Sequence, residues 1–403
     1  MRRSASCPKR ALLSGIDQCD KAAIDHTNKS MRVLHFFKTY WPETFGGMER
    51  VIDTIARMTA DHGVEHHILS INDNGENPQP YFHGQHLHKA RRSFEVLSTD
   101  VSFEAFKQYR RLATDADVVH LHFPWPFMDI AHLAGGIAKP TVVTYHADAL
   151  GNALVQSFYG LLMHRLLSRV DRIVATSPNY LDSSSVLRRY VNKTDVIPLG
   201  LDPQSYPKPS AETLAKWHTR FGDDFFLFVG VLRHYKGLGI LLDAAKGMKQ
   251  QVVIVGGGKR EAEYRARKAE CGLENVHFVG SIGDEDKMAL LKLCTAFVLP
   301  SNKRSEAFGL SLAEAAMMGK PMISCEIGTG TSFVNRDGVT GIVLPPDDAG
   351  SLRRAMTTLG QDADLASAMG AAAAKHFHDK LHASNMGLRY HRLCRMVLGE
   401  TAA

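Results

Sequence analysis

The sequence predicts an α/β protein of two parallel-sheet units joined by a hinge, and three observations lead there. From Met31 onward, short apolar runs of strand length alternate with amphipathic helical stretches, as in parallel sheets covered by helices on both faces. The alternation breaks once, at Gly200-Leu-Asp-Pro-Gln-Ser-Tyr-Pro-Lys-Pro209, where three prolines in a short polar stretch read as a linker, and then resumes. At 403 residues, 44% hydrophobic and 22% charged, the chain has the length and balance of two folded domains.

Residues 1–30 contain Arg2, Arg3, Lys9 and Arg10, but Ala11-Leu12-Leu13 is too short for a secretory core, so this segment reads as a disordered leader or an upstream start. The first strand, Arg32 to Phe37, leads through the loop Lys38 to Gly47 into a helix with Val51, Ile52, Ile55 and Met58 on one face, ending at Gly63. Strands at Glu65 to Ile71, Asp117 to His122, Thr141 to Tyr145, Arg172 to Thr176 and Asp195 to Pro198 complete a first unit over 31–205. After the linker, strands are expected at Phe225 to Val229, Gln251 to Val255, Val276 to Val279, Thr295 to Leu299, Pro321 to Ser324 and Gly341 to Leu344, within a second unit over 206–380. The remainder, 381–403, is mostly helical. Both units are Rossmann-like, and such sheets bind ligands beyond the carboxyl ends of their strands.

The stretch Pro300 to Pro321 carries the most chemistry. It follows a buried strand and reads as a loop and then a helix opening near Gly309 and stopping at Gly319. The backbone N–H groups of Phe308, Gly309 and Leu310 at that helix start would cradle phosphate. Glu306 precedes them in the loop. Glu314 lies in the first turns of the helix, where its carboxylate can accept two hydrogen bonds from a vicinal diol such as a ribose.

Glu306, seven residues and Glu314, with Phe-Gly-Leu between and Glu-Ala-Ala after, resemble the E-x7-E signature of the retaining GT-B glycosyltransferases of family 4, also called group 1. The likeness extends from Met31 to the C-terminal helix, and it implies a GT-B fold in which that helix returns to the first, acceptor-side domain while the second binds the donor. Gly46-Gly47-Met-Glu-Arg resembles the family's donor-phosphate loop, and alone would be an ordinary strand-to-helix turn. Thr144-Tyr-His146-Ala-Asp148 is similar to the segment of the catalytic histidine. On that likeness His146 stabilises the transition state or the acceptor hydroxyl, and Asp148 is placed to hold its ring. Arg233 and Lys236 resemble the basic pair that neutralises a leaving diphosphate. Here Val231 stands where the family often has its arginine, and Arg233 follows two residues later. Gly256-Gly257-Gly258 and Ser281-Ile282 would line the nucleotide base.

The resemblance implies transfer of a hexose from a nucleotide-diphosphate sugar to a hydroxyl of a growing glycan or lipid-linked acceptor, without a metal or other cofactor. Val231-Leu-Arg-His-Tyr-Lys-Gly-Leu238 looks most like members that build O-antigen or exopolysaccharide from GDP-mannose or a GDP-deoxyhexose. A GT-B epimerase, which needs no acceptor, and a silent nucleotide-binding module are the alternatives. The co-occurrence of Glu306, Lys236 and His146 argues against the silent module.

Other classes are set aside on the residues themselves. Neither unit has the G-x-G-x-x-G spacing of a dinucleotide fingerprint. The net charge of +6 is mild and no nucleic-acid motif accompanies it. Six scattered cysteines without C-x-x-C spacing indicate neither disulfide framework nor zinc ribbon, which fits a reducing, cytoplasmic setting. His83, His86, His88 and the pair His378 and His382 lack the companions of a metal site. The D-x-D triplets at Asp115, Asp284 and Asp362 are poorly placed for a metal-diphosphate motif. Lys89, Arg91 and Arg92, and again Lys107, Arg110 and Arg111, read as solvated helix faces; docking to an anionic membrane surface or a lipid diphosphate is the other reading.

Overall fold

The computed structural model describes residues 30–96, 99–148 and 153–400, without the side chains of 153–158; the leader reading falls on residues outside that range. Continuous apolar runs such as Phe225-Phe-Leu-Phe-Val229 make strands buried on both faces. The first sheet has eight strands in the order Thr194–Val196, Arg172–Ala175, Thr141–Tyr145, Val118–Phe123, Met31–Phe36, Val64–Asn72, Gln85–Arg91 and Tyr81–Phe82. Only the last pair is antiparallel. The second sheet has six parallel strands in the order Val276–Gly280, Gln251–Val255, Phe225–Val229, Ala296–Leu299, Met322–Cys325 and Gly341–Leu344. Chain order reverses between Met31–Phe36 and Val118–Phe123 in one sheet and between Phe225–Val229 and Ala296–Leu299 in the other. At such a switch point neighbouring loops leave in opposite directions and open a crevice.

The strand Gln85–Arg91 corrects the reading of Lys89, Arg91 and Arg92 as a helix face. Lys89 is buried, with its ammonium 2.6 Å from Glu43 and 3.0 Å from Ser70 Oγ. Alternating polar residues, His86, His88 and Lys89, hide this strand in the sequence, because its partners lie on neighbouring strands and loops. Lys107, Arg110 and Arg111 do lie on a helix, Phe103–Asp115.

The chain passes between the two units twice, and the passages run side by side. Leu201 N–H donates to Leu381 O at 2.9 Å, and Ala383 N–H donates to Leu201 O at 2.9 Å. Beyond the second passage, helix Ala383–Val397 packs on helix Gly47–Ala60. A Cβ on Gly387 would stand 2.4 Å from Met58 Cβ, so only glycine permits this approach. Tyr390 anchors the helix through its hydroxyl, 2.8 Å from Thr144 Oγ1. Among the described residues, no helix is long and apolar enough to cross a membrane.

Candidate active site

The carboxyl edges of the two sheets face each other. Gly47, after the first strand, lies so close to the second unit that a Cβ would come within 2.9 Å of Leu310 Cδ1. Arg50 donates to Asp284 at 2.7 Å, and Arg304 reaches Asp148 at 3.0 Å, Ser183 Oγ at 2.8 Å and Gly328 O at 2.8 Å. Gly46 caps helix Gly47–Ala60 with no side-chain hydrogen bond, so the first N–H groups of that helix have no cap. Glu49 is buried beneath the loop and accepts from Thr39 and Thr44, each at 2.7 Å, fixing its shape.

In the second unit, Lys236 and Glu306 follow the two strands that flank the switch point, and this is why they meet. They form a buried ion pair, and Ser301 Oγ donates to the same carboxylate oxygen at 3.2 Å. Burial works against the Lys236 charge, but Glu306 and Tyr235 outweigh it and hold the ammonium above its ordinary value. Gly237 has φ +72°, and a Cβ there would fall 1.8 Å from Pro300 O, so the two loops touch only because this residue is glycine. Arg233 is exposed and, among the described residues, forms no ion pair. It is the uncompensated cation of the basic pair.

Helix Leu310–Met317 begins at Gly309, whose φ of +85° is left-handed and whose cap position carries no side-chain hydrogen bond. Phe308 is buried beside it. The Leu310 side chain of this first turn touches the Gly46-Gly47 loop, so the two uncapped helix starts adjoin. Glu314 is buried, its Oε1 accepts from Lys287 Nζ at 2.7 Å, and its carboxylate also lies against the Tyr206 hydroxyl. Lys287 also lies 3.0 Å from Asp284, so Arg50, Asp284, Lys287 and Glu314 form one chain of alternating charge from the first unit into the second. Burial tends to raise the Asp284 carboxyl, but Lys287 and Arg50 more than offset it and hold it below the usual range. Gly256 and Gly257 follow strand Gln251–Val255, and a Cβ on Gly257 would lie 3.0 Å from Ser281 Oγ, so the two loops assigned to the base adjoin. Ile282 follows, half-buried.

His146 ends the strand Thr141–Tyr145 and is buried, and desolvation pushes its pKa down to about 3. Asp148 does not hold its ring, contrary to the sequence reading. That carboxylate accepts from Tyr145, Ser184 and Arg304, at 3.1, 3.2 and 3.0 Å. The ring is held instead by His122, whose Nδ1 lies 3.0 Å from His146 Nε2. Sequence reasoning missed His122, Arg50, Lys287 and Arg304. Only Arg50 had a local signal, as the last residue of Gly46-Gly-Met-Glu-Arg.

Each D-x-D triplet has a member held by a protein partner, and of those members Asp284 lies in the cleft itself. Asp117 accepts from the Arg32 backbone, Asp284 and Asp286 pair with Arg50 and Lys216, and Asp362 caps a helix. Among the described residues, two side-chain groups have the spacing to hold a metal ion, His35/His120/His122 and Glu65/His67/His86. Neither includes Lys236, Glu306 or Glu314.

A family model described as "Glycosyl transferases group 1" matches residues 211–376, and one described as "Glycosyltransferase Family 4" matches residues 45–205. The chain is 52% identical over 340 residues to a protein of Pseudomonas aeruginosa named D-rhamnosyltransferase WbpZ, covering 84% of this chain and 89% of that one. It is 43% identical over 356 residues to an Escherichia coli protein named O-antigen chain mannosyltransferase C, covering 88% of this chain and 96% of that one. Among solved structures, a sucrose-phosphate synthase from Thermosynechococcus elongatus superposes with a TM-score of 0.76 at 20% identity, over 92% of this chain and 99% of that one. Anabaena Alr3699/HepE in complex with UDP and glucose superposes with a TM-score of 0.74 at 18% identity, over 91% of this chain and all of that one, 100%. These two likenesses establish the GT-B fold alone.

Proposed function

The chain belongs to the group 1, family 4 glycosyltransferases, and on that premise we propose that it is a retaining, metal-independent hexosyltransferase acting on O-antigen or a related surface glycan. The observation that carries the reading is the Lys236–Glu306 pair beside the uncapped N-terminus of helix Leu310–Met317, with His146 on the opposing edge. The donor is GDP-mannose or a GDP-deoxyhexose, in keeping with the names of the two bacterial relatives.

Donor phosphates lie between the Gly46-Gly47 loop and the Phe308-Gly309-Leu310 turn, with the ribose on Glu314 and the base near Gly256, Ser281 and Ile282. As the glycosyl–phosphate bond breaks, negative charge grows on the diphosphate. Fixed positive groups aimed at it lower the barrier without reorganising. Lys236 supplies one such group and Arg233 a second. Glu306 keeps one oxygen on Lys236 and Ser301 and offers the other to the sugar, so aligning cation and sugar together. His146 meets a sugar hydroxyl from the acceptor side. Anchored cations and helix ends replace a divalent ion in this scheme, and the pairing of Asp284, the triplet member in the cleft, with both Arg50 and Lys287 supports it.

Transfer takes place in the cytoplasm, with the enzyme lying against the inner face of the membrane. A concavity of about 550 Å³ lined by Lys107, Arg110, Arg111 and Lys139 supports that placement.

Purified protein is offered a panel of nucleotide sugars, with and without EDTA and a hydroxyl acceptor. Slow hydrolysis of a GDP-sugar, faster turnover with acceptor, a retained anomeric configuration and indifference to EDTA are expected. Epimerised donor without acceptor, tight binding without turnover, or loss on chelation restored by manganese or magnesium would each overturn the proposal. Sedimentation with anionic vesicles tests the membrane placement, and failure to sediment would remove it.

A further inference from the structure

Four buried histidines from four neighbouring strands form one hydrogen-bonded file across the first sheet. Thr59 Oγ1 lies 2.7 Å from His66 Nε2; His66 Nδ1 lies 2.9 Å from His35 Nε2; His35 Nδ1 lies 3.0 Å from His122 Nε2; and His122 Nδ1 lies 3.0 Å from His146 Nε2. At the far end, His146 Nδ1 is buried and has no partner. Burial pushes all four rings well below the ordinary histidine range, so each is neutral and carries a single N–H.

A neutral ring that donates from one nitrogen must accept at the other. The file can therefore hold its protons in only two patterns, all pointing toward Thr59 or all pointing toward His146. Thr59 selects between them. Its hydroxyl also lies 2.7 Å from Ile55 O, a pure acceptor, and it has one proton to give. Given to Ile55 O, that proton leaves Oγ1 free to accept from His66 Nε2–H, and both short contacts are satisfied. Given to His66, it would leave two oxygens 2.7 Å apart with no proton between them.

We propose that Thr59, His66, His35 and His122 act as a tautomer relay that holds His146 as Nε2–H, presenting a bare Nδ1 as an acceptor for a sugar hydroxyl. The four are positioning residues, and the relay's bearing on transfer rests on the role proposed above for His146. His146 accepts a hydrogen bond from that hydroxyl, whose proton stays on the sugar oxygen, and does not act as an imidazolium. His35 has both nitrogens committed within the file, so a metal held by His35, His120 and His122 would break it.

The test is an ¹⁵N spectrum of histidine-labelled protein that separates protonated from bare ring nitrogens, with His146 assigned by the signals lost in His146→Asn. The wild-type protein should show His146 protonated at Nε2 and bare at Nδ1; a proton on Nδ1 overturns the relay without need of a variant. Thr59→Val removes the selecting hydroxyl. It should mix the tautomers at His146 and lower kcat by about two- to tenfold with donor KM unchanged, as for loss of one neutral hydrogen bond, while Thr59→Ser keeps both tautomer and rate. A folded Thr59→Val protein with the wild-type tautomer overturns the relay, as does stoichiometric zinc in the purified protein. A wild-type transfer rate in His146→Ala, with the tautomers as stated, would leave the relay standing and remove the functional role of His146.

Discussion

Arg50 and Asp284, in the first turns of two helices from different sheets, are joined by a hydrogen bond of 2.7 Å across the cleft. Both side chains are about a third exposed, 31% and 33%, so water screens the pair and its contribution to stability falls below about 1 kcal/mol. Its contribution is to the closed arrangement. Arg50→Ala should shift the melting temperature by no more than about 2 °C. The radius of gyration of the ligand-free protein, measured by small-angle scattering, should increase. An unchanged radius with a large loss of stability would assign Arg50 to folding instead.

The two glutamates of the E-x7-E pair should fail in different ways. On the proposed placement Glu314 holds a part of the donor that does not change in the reaction, so Glu314→Ala should raise donor KM, by about 1.5–3 kcal/mol in binding. In the same proposal Glu306 aligns the sugar against Lys236, so Glu306→Gln should lower kcat at saturating donor. Gln is the informative replacement, because Ala would strand the buried Lys236 charge and cost about 3–5 kcal/mol of stability. Steady-state constants for both variants, each with a thermal melt, decide the matter; the reverse pattern would place ribose and sugar at the wrong ends of the motif.

Acid should unfold this protein early. His35, His66, His120, His122 and His146 all sit well below the ordinary value of 6.5 through burial. Above pH 6.5 they are neutral folded or unfolded, and pH has no leverage through them. Below it, the unfolded chain takes up protons that the folded chain refuses, so stability falls with pH at up to about 1.4 kcal/mol per histidine per unit. Five such groups together lose about 7 kcal/mol per pH unit, comparable to the whole stability of a typical domain. Melts between pH 5 and 8 should show a steep fall below about pH 6.5. A flat profile would mean that these rings are charged in the fold.

Lys89 and Glu43 should respond unequally to replacement. The Lys89 ammonium is fully enclosed whereas Glu43 is 33% exposed. Glu43→Ala strands a buried cation and should cost about 3 kcal/mol, while Lys89→Met fills the same space without charge and should be near neutral. Urea unfolding of the two variants measures this, and equal losses would place Lys89 in solvent.

Continuous apolar strands and the Glu306–Glu314 spacing were legible in the sequence because strand burial and helix-end chemistry are written locally. Partnerships across strands were not. His35 pairs in register with His120, and His122 with Thr144, yet these residues lie far apart in the chain and each alone looks like an isolated histidine. Asp148 stood close enough to His146 in sequence to be taken for its partner, but the side chains of neighbouring residues diverge where the strand ends, and a residue from the adjacent strand holds the ring.

The paired passages at Leu201 and at Leu381–Ala383 act like the two leaves of a door hinge. Because the crossings are hydrogen-bonded to one another, they act as one connection between the units and not as two separate tethers. The Arg50–Asp284 and Arg304–Asp148 contacts are the latches that join the units across the cleft. Breaking such a latch leaves both units folded, so pairs too weak to matter for folding can still set how often the door stands open.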